Sequence, residues 1–187
     1  MNKAVFLDRD GTINVEKNYL YRISDFEFLP GAVEALQNLQ AGGFKLIIIT
    51  NQSGIARGLY GIDDFLVLND WMKETLKGYG VCIDDVYYCP HHPSSLIDVY
   101  RVDCDCRKPK TGLFERAIVD YNIDLKKSFA IGDKIRDCSI CQNTECQGFL
   151  ISQNEDAGII KRVIDGEYKH IKYAFNLKEA ADMILSL

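Results

Sequence analysis

The stretch KAVFLDRDGTIN, residues 3–14, decides how the rest of the chain is read. An apolar run from Lys3 to Leu7 stops at Asp8, and a second aspartate follows at Asp10, with Arg9 between them and Gly11 and Thr12 behind. Short runs rich in β-branched and aromatic residues read as buried strands, so this one delivers two carboxylates at a strand exit. Residues two apart share one face of a strand. Asp8 and Asp10 are therefore expected side by side, with Arg9 on the opposite face. Asp-Gly is by itself a common turn pair, so what the acids mean depends on what the other strands bring beside them.

Five further runs have the same character: FKLIII (44–49), DVYY (85–88), SFAI (128–131), GFLIS (148–152) and IKYAF (171–175). Helical patterns lie between them. Val33, Leu36 and Leu39 share a face before Gly42 and Gly43; Phe65, Leu68, Met72 and Leu76 repeat before Gly78 and Gly80; Leu113, Phe114, Ala117, Ile118 and Tyr121 form a third stripe. Leu177, Ala180, Ala181, Ile184 and Leu185 form the last, which Asn176 and Glu179 are placed to cap reciprocally. Strand–helix alternation implies a mostly parallel sheet with helices on both faces: an α/β, Rossmann-like three-layer sandwich. The 187 residues fit one domain, and no linker, repeat or low-complexity tract divides them.

In such sheets ligands bind beyond the carboxyl ends of the strands. The residues after each strand should then converge: Asp8 and Asp10; Thr50, Asn51, Gln52 and Ser53; a Cys/His loop running on to Arg107 and Lys108; and Gly132, Asp133 and Lys134. Carboxylates repel phosphate, but a hard divalent cation with few oxygen ligands, Mg²⁺, reconciles the two. One aspartate can then attack phosphorus. The aspartate two residues on can protonate the leaving oxygen and later deprotonate water.

The net charge of −5 gives the chain no general attraction to nucleic acid or anionic membrane. Any phosphate must be held by a few placed cations. No apolar run approaches the ~18 residues of a membrane span, and the amino terminus lacks the length and cleavage pattern of a signal peptide. A cytoplasmic location is expected. Seven cysteines, an odd number, then read as reduced thiols or metal ligands. Loop 89–106, CPHHPSSLIDVYRVDCDC, supplies Cys-x-His and Cys-x-Cys. Three thiolates and one imidazole suit a closed, structural, tetrahedral Zn²⁺ site; spacing leaves His91 and His92 both open as the imidazole. A nucleic-acid-binding zinc ribbon suits the acidic charge badly. Cys138, Cys141 and Cys146 read as small buried hydrophobes.

FLDRDGTIN (6–14), IITNQSGIARG (48–58), CRKPKTG (106–112) and IGDKIRD (131–137) resemble, in order and context, the four motifs of the haloacid dehalogenase superfamily of phosphohydrolases. Together with YYCPHHP (87–93), they are most similar to the D,D-heptose 1,7-bisphosphate phosphatases, relatives of the histidinol-phosphate phosphatases. The resemblance runs from about residue 4 to about residue 137. It implies Asp8 as nucleophile and Mg²⁺ ligand, and Asp10 as general acid/base that binds the cation through its carbonyl. Thr50 and Lys108 would hold the transferring phosphoryl oxygens, and Asp133 would complete the metal site. It implies zinc on Cys89, His91, Cys104 and Cys106, and substrate contacts from Arg9, Glu16, Lys17, Asn18, Tyr19, Thr50, Asn51, Gln52, Ser53, Arg107, Lys108 and Lys134. Asp137 is left open between a place behind the metal and a helix start. Roughly 23 residues separate Asp8 from the first helix, too few for a separate cap domain. The implied reaction removes the C7 phosphate of a heptose 1,7-bisphosphate, on the way to nucleotide-activated heptose for surface glycans, with histidinol phosphate as the alternative substrate. The anomer is not fixed by the sequence, and a monomer is expected. A zinc-stabilised binding module without catalysis is disfavoured, because Asp8, Asp10, Thr50, Lys108 and Asp133 are all present.

Overall fold

Strand β1, Ala4–Leu7, ends one residue before Asp8 and is buried along its whole length. The computed structural model describes residues 1–151 and 155–187. Around β1 it arranges β2 (Lys45–Asn51), β3 (Asp85–Cys89), β4 (Phe129–Gly132), β5 (Gln147–Leu150) and β6 (Ile171–Tyr173) in the order β3-β2-β1-β4-β5-β6. Every pairing is parallel. All six expected strands are present; Ser152, the end of one expected run, lies outside the described residues.

The period of two divides the core. Val5 and Leu7 of β1, Leu46 and Ile48 of β2 and Ile131 of β4 face α1 (Ala32–Ala41), α3 (Ile62–Gly78) and α6 (Leu177–Leu185). Ala4, Phe6, Ile47, Ile49 and Ala130 face the opposite way, toward α4 (Gly112–Tyr121) and α5 (Ala157–Ile164). With both faces covered, the central strands read as continuous apolar runs rather than as alternating ones. A short turn, α2 (Ser53–Ala56), follows β2.

The helix starts follow from local chemistry. Asp64 accepts the Gly61 N–H at 2.8 Å and opens α3. At α6 the Asn176 side chain accepts the Glu179 N–H, as expected, but the Glu179 carboxylate takes the N–H of Phe175, one residue upstream of the anticipated partner. Helix α5 is not among the expected helices, although Ile159, Ile160, Val163 and Ile164 share one face; Asp156 caps it, accepting from Gly158 and Ile159. Cys138, Cys141 and Cys146 are fully buried around a 3₁₀ segment, Ile135–Gln142, in the cluster that includes Ala130 and Leu150. This is the hydrophobic role expected of them. Between β1 and α1 the chain carries only a three-residue 3₁₀ turn, Ile23–Asp25, and no inserted cap. Among the described residues no helix is long and apolar enough to cross a membrane.

The strand order reverses direction between β1 and β4. At such a switch point the flanking loops diverge and leave a crevice at the carboxyl edge. Asp8 leaves β1 and Asp133 leaves β4 on the two sides of that crevice.

Candidate active site

Backbone geometry brings the first two carboxylates together. After Asp8 the chain turns tightly: the Arg9 carbonyl accepts from Ile13 at 2.8 Å, and Gly11 donates to Asn14 at 2.7 Å. Gly11 sits at φ +81°, and a Cβ there would lie 2.5 Å from Asp133 Oδ2. Only glycine allows both the left-handed backbone and this approach. On the β4 side a Cβ at Gly132 would lie 2.2 Å from Asp137 Cβ, so this glycine lets Asp137 pack under the strand end.

Lys108 reaches into the crevice from the third side. Its ammonium donates to Asp8 Oδ1 at 2.7 Å and to the Ile49 carbonyl at 2.5 Å, and pairs with Asp137 Oδ1 at 2.8 Å. Asn51 fixes the backbone from which it extends, donating to the Lys108 carbonyl and accepting the Lys108 N–H, both at 3.1 Å. Asp137 also accepts the Lys134 N–H at 2.9 Å. The two roles left open for it are thus combined: it caps its own turn and stands behind Asp8, holding Lys108.

Asp8, Asp133 and Asp137 each offer an oxygen within 4.8 Å of the others. Such a cluster of buried hard donors fits a divalent cation and is unstable without positive charge. Burial pushes the Asp8 pKa up to about 7 against the pull of Lys108, with Asp137 and Asp10 raising it further. Burial, then Asp8 and Asp137, pushes Asp133 up to about 8. For Lys108, burial opposes the charge, but Asp137 and Asp8 outweigh it and hold the pKa above the ordinary lysine value.

Asp10 lines the same cavity, of about 280 Å³, but its carboxylate stands apart from the three-acid cluster. Arg9 donates to it from Nε and Nη2 at 2.9–3.2 Å, Asn14 at 3.0 Å and Gln52 at 3.0 Å. Gln52 also donates to Thr50 Oγ1 at 2.9 Å and accepts from Tyr60 at 2.6 Å. These bonds fix the direction of Asp10 and place Thr50, Asn51 and Lys108 along the same wall.

Two of the expected substrate contacts lie away from the cavities. Arg9 is 0% exposed, bonded to Asp10 and the Leu20 carbonyl and packed over Phe65; its side chain has no surface to offer a ligand. Lys17 pairs with Glu27 at 3.3 Å and lines neither active-site cavity. Gln52 lines the substrate side, but its amide is fully engaged as described.

Glu16, Asn18, Tyr19, Ser53, Arg107 and Lys134 line a second, adjoining cavity of about 400 Å³. Glu16 Oε1 accepts the Asn18 N–H at 2.7 Å, and burial, then the Asp10 charge, raises its pKa. Asn18 and Tyr19, which line this cavity, both take left-handed backbone, φ 49° and 69°. Arg57, Tyr60, His92 and Arg136 line the cavity too, and the sequence reading assigned none of them to substrate. The available signal was position alone: Arg57 and Arg136 lie inside IITNQSGIARG and IGDKIRD.

The thiol loop closes on itself. Cys106 Sγ lies 3.1 Å from both Cys89 and Cys104, Cys89 lies 3.5 Å from Cys104, and His91 Nδ1 lies 3.3 Å from Cys106 and 3.9 Å from Cys89. A tetrahedral zinc site with ~2.3 Å arms has edges of about 3.7 Å, and this soft donor set fits it. His91, not His92, turns inward; His92 faces the second cavity. Arg107 donates to the His91 carbonyl at 3.2 Å, and Gln52 donates its N–H to the Cys89 carbonyl at 2.8 Å, so the cluster is tied to both the Arg107–Lys108 arm and the Thr50 loop.

Residues 3–161 match the family described as polynucleotide kinase 3 phosphatase. The chain is 51% identical over 137 residues to the D-glycero-beta-D-manno-heptose-1,7-bisphosphate 7-phosphatase of Pasteurella multocida, covering 73% of this chain and 74% of that one. It is 46% identical over 134 residues to the protein of that name from Escherichia coli (strain K12), covering 72% and 70%. The D,D-heptose 1,7-bisphosphate phosphatase from B. bronchiseptica, solved with magnesium and phosphate, superposes with a TM-score of 0.82 at 28% identity over 98% of each chain. The chain belongs to the haloacid dehalogenase-like heptose bisphosphate phosphatases, a membership that the polynucleotide kinase 3 phosphatase match supports over most of its length.

Proposed function

We propose that the protein is a Mg²⁺-dependent phosphatase that removes the C7 phosphate of D-glycero-D-manno-heptose 1,7-bisphosphate, giving the 1-phosphate used for nucleotide-activated heptose. The β anomer is the proposed form, because the relatives at about half identity are named for it. The carrying observation is the junction of Lys108 with Asp8 and Asp137 at the switch point, beside Asp133. That is a nucleophile, a phosphoryl-oxygen cation and a metal site within one small volume.

The residues that would hold Mg²⁺ are Asp8, Asp133 and the Asp10 carbonyl, with Asp137 behind them. When bound, the ion supplies the positive charge that lets a carboxylate and a phosphate meet. Asp8 attacks phosphorus with one carboxylate oxygen, the bond to the sugar oxygen breaks, and Asp10 gives that oxygen a proton. Asp10 then takes a proton from water, whose oxygen attacks the aspartyl phosphate and frees Asp8 and inorganic phosphate. Lys108 and the Thr50 hydroxyl hold the non-bridging oxygens, where preorganised donors are most effective. Lys108 comes with its backbone already pinned by Asn51.

Zinc on Cys89, His91, Cys104 and Cys106 takes no part in bond making, since all four positions are protein ligands. Its proposed work is to hold Arg107 and Lys108 in register. A cytoplasmic, monomeric enzyme completes the reading; the described structure has seven free cysteines, which suits a reducing compartment.

The test is phosphate release with Mg²⁺ from the heptose bisphosphate and from histidinol phosphate, for the natural chain and for Asp8→Asn. Release from the bisphosphate, and a loss of at least ~10³-fold in kcat in the variant with substrate binding retained, is expected. Turnover of histidinol phosphate alone would overturn the substrate. Normal turnover by Asp8→Asn would overturn the mechanism.

A further inference from the structure

The two adjoining cavities differ in charge. The first is lined by Asp8, Asp133 and Asp137 with Lys108 among them. The second is lined by three guanidinium groups, Arg57, Arg107 and Arg136. Asp10, Glu16, Asn51, Lys134 and Arg136 line both, so a single ligand can extend from one into the other.

We infer that Arg57 and Arg136 are specificity residues that hold the phosphate that is not transferred, and so make the enzyme select a sugar bisphosphate over the monophosphate. This rests on the phosphatase reading above and goes further by assigning the second anion a place.

Both side chains are available. Among the described residues neither Arg57 nor Arg136 pairs with a carboxylate; Arg57 lies over the Tyr19 ring at 5.7 Å, and its guanidinium edges remain open to a ligand. The two acids on the same wall are otherwise occupied. Asp10 is held by Arg9, and Glu16 accepts from its own loop. Arg107 donates one bond to the His91 carbonyl. Arg57, Arg107 and Arg136 thus bring three guanidinium groups to one opening. In a chain of net charge −5, guanidinium groups that make no direct ion pair with the nearby acids mark a place suited to an anion. Guanidinium is suited to it, because its fork matches phosphate oxygens two at a time. Arg136 lines both cavities, and Arg57 lines only the second, against the Tyr19 ring.

The experiment compares kcat/KM for heptose 1,7-bisphosphate with that for heptose 7-phosphate, and for fructose 1,6-bisphosphate with that for fructose 6-phosphate. It is run on the natural chain, Arg57→Ala, Arg136→Ala, the double variant and Arg136→Lys. Both arginines are exposed, and melting curves verify folding. The natural chain is expected to prefer the bisphosphate. Each single alanine should cut that preference ten- to a hundredfold, mainly through KM, the scale of one lost charge-assisted contact. The double variant should abolish it, and Arg136→Lys should restore part. No bisphosphate preference in the natural chain, or an unchanged ratio in both alanine variants, would overturn the inference. If heptose bisphosphate is not hydrolysed but the fructose pair shows the same arginine-dependent preference, the proposed substrate falls and the inference stands.

Discussion

Replacing Gly11 with alanine tests whether the metal site is set by backbone shape. The added methyl acts in two separable ways. It forces a Cβ residue into left-handed backbone at φ +81°, which costs about 1–2 kcal/mol. It also places Cβ 2.5 Å from Asp133 Oδ2 and 2.7 Å from Cγ, where ordinary contact begins at 3.4 Å, so the carboxylate must retreat by roughly 0.9 Å. Metal ligands tolerate about 0.2 Å and catalytic groups about 0.5 Å. The displacement exceeds both. Gly80 provides the control: φ +80°, with nothing within 4 Å of its virtual Cβ. Gly11→Ala and Gly80→Ala should therefore lose similar stability, about 2–8 °C in Tm for a chain of this size. Only Gly11→Ala should raise the Mg²⁺ concentration for half-maximal activity, by tenfold or more. The assay is a magnesium titration of phosphate release beside thermal melts of both variants. If Gly11→Ala kept a magnesium requirement within twofold of the natural chain, the argument that this glycine exists for Asp133 would be wrong.

Two further outcomes follow from the site. Asp8 and Asp133 ionise near pH 3.8 in the unfolded chain but near 7 and 8 when folded, chiefly through burial, so the metal-free folded state binds more protons across that interval. Its stability should fall as pH rises from about 4 to about 8, and Mg²⁺, which favours the ionised acids, should raise Tm more at pH 8 than at pH 5.5. Melting curves at both pH values check this: equal magnesium shifts, or an Asp133→Asn variant with an unchanged pH slope, would refute it. Cys106→Ala should remove zinc, release Arg107 from its place beside the His91 carbonyl and raise KM about tenfold; a zinc-free variant with full turnover and stability, by metal analysis and melts, would dismiss the positioning role.

The fold was legible where both faces of an element are covered. The central strands β1, β2, β4 and β5 stand out as apolar runs because helices bury them on both sides, while the edge strands β3 and β6 are only partly buried. Helix α5 was readable but is short, eight residues: Asp156 is an N-cap type, and Ile159, Ile160, Val163 and Ile164 recur at helical spacing. The chemistry-bearing residues were legible because motif spacing fixes which strand end each one leaves. Side-chain direction was not. Arg9 alternates with Asp8 and Asp10 as the strand period requires, yet its long side chain bends back and bonds to Asp10. Lys17 lies in the closing loop but is drawn to Glu27. Asp137 could not be placed, because its two partners, Lys134 and Lys108, are 3 and 29 residues away and only the fold brings the second one near. Arg57 and Arg136 carried no signal beyond their motifs, since an unpaired cation is recognised only once its neighbours are known.

The charges of the site explain why it needs a divalent ion and not merely a lysine. Arg9 neutralises Asp10, which removes that pair from the balance. Asp8, Asp133 and Asp137 remain, set against Lys108 as the ammonium bonded to two of them. Full ionisation would leave an excess of two negative charges in a buried volume, a costly state. The metal-free protein avoids it by keeping protons on Asp8 and Asp133 well above their usual range. A protonated Asp8 is a poor nucleophile, so the same burial that shapes the site weakens it below about pH 7. Mg²⁺ matches the excess in magnitude and displaces protons rather than adding to them. Magnesium affinity should consequently rise with pH up to about 8 and then level, because beyond that point no proton remains to be displaced. A magnesium affinity independent of pH between 5.5 and 8 would mean that these two acids are already ionised in the free protein, and the account of why the site waits for its metal would fail.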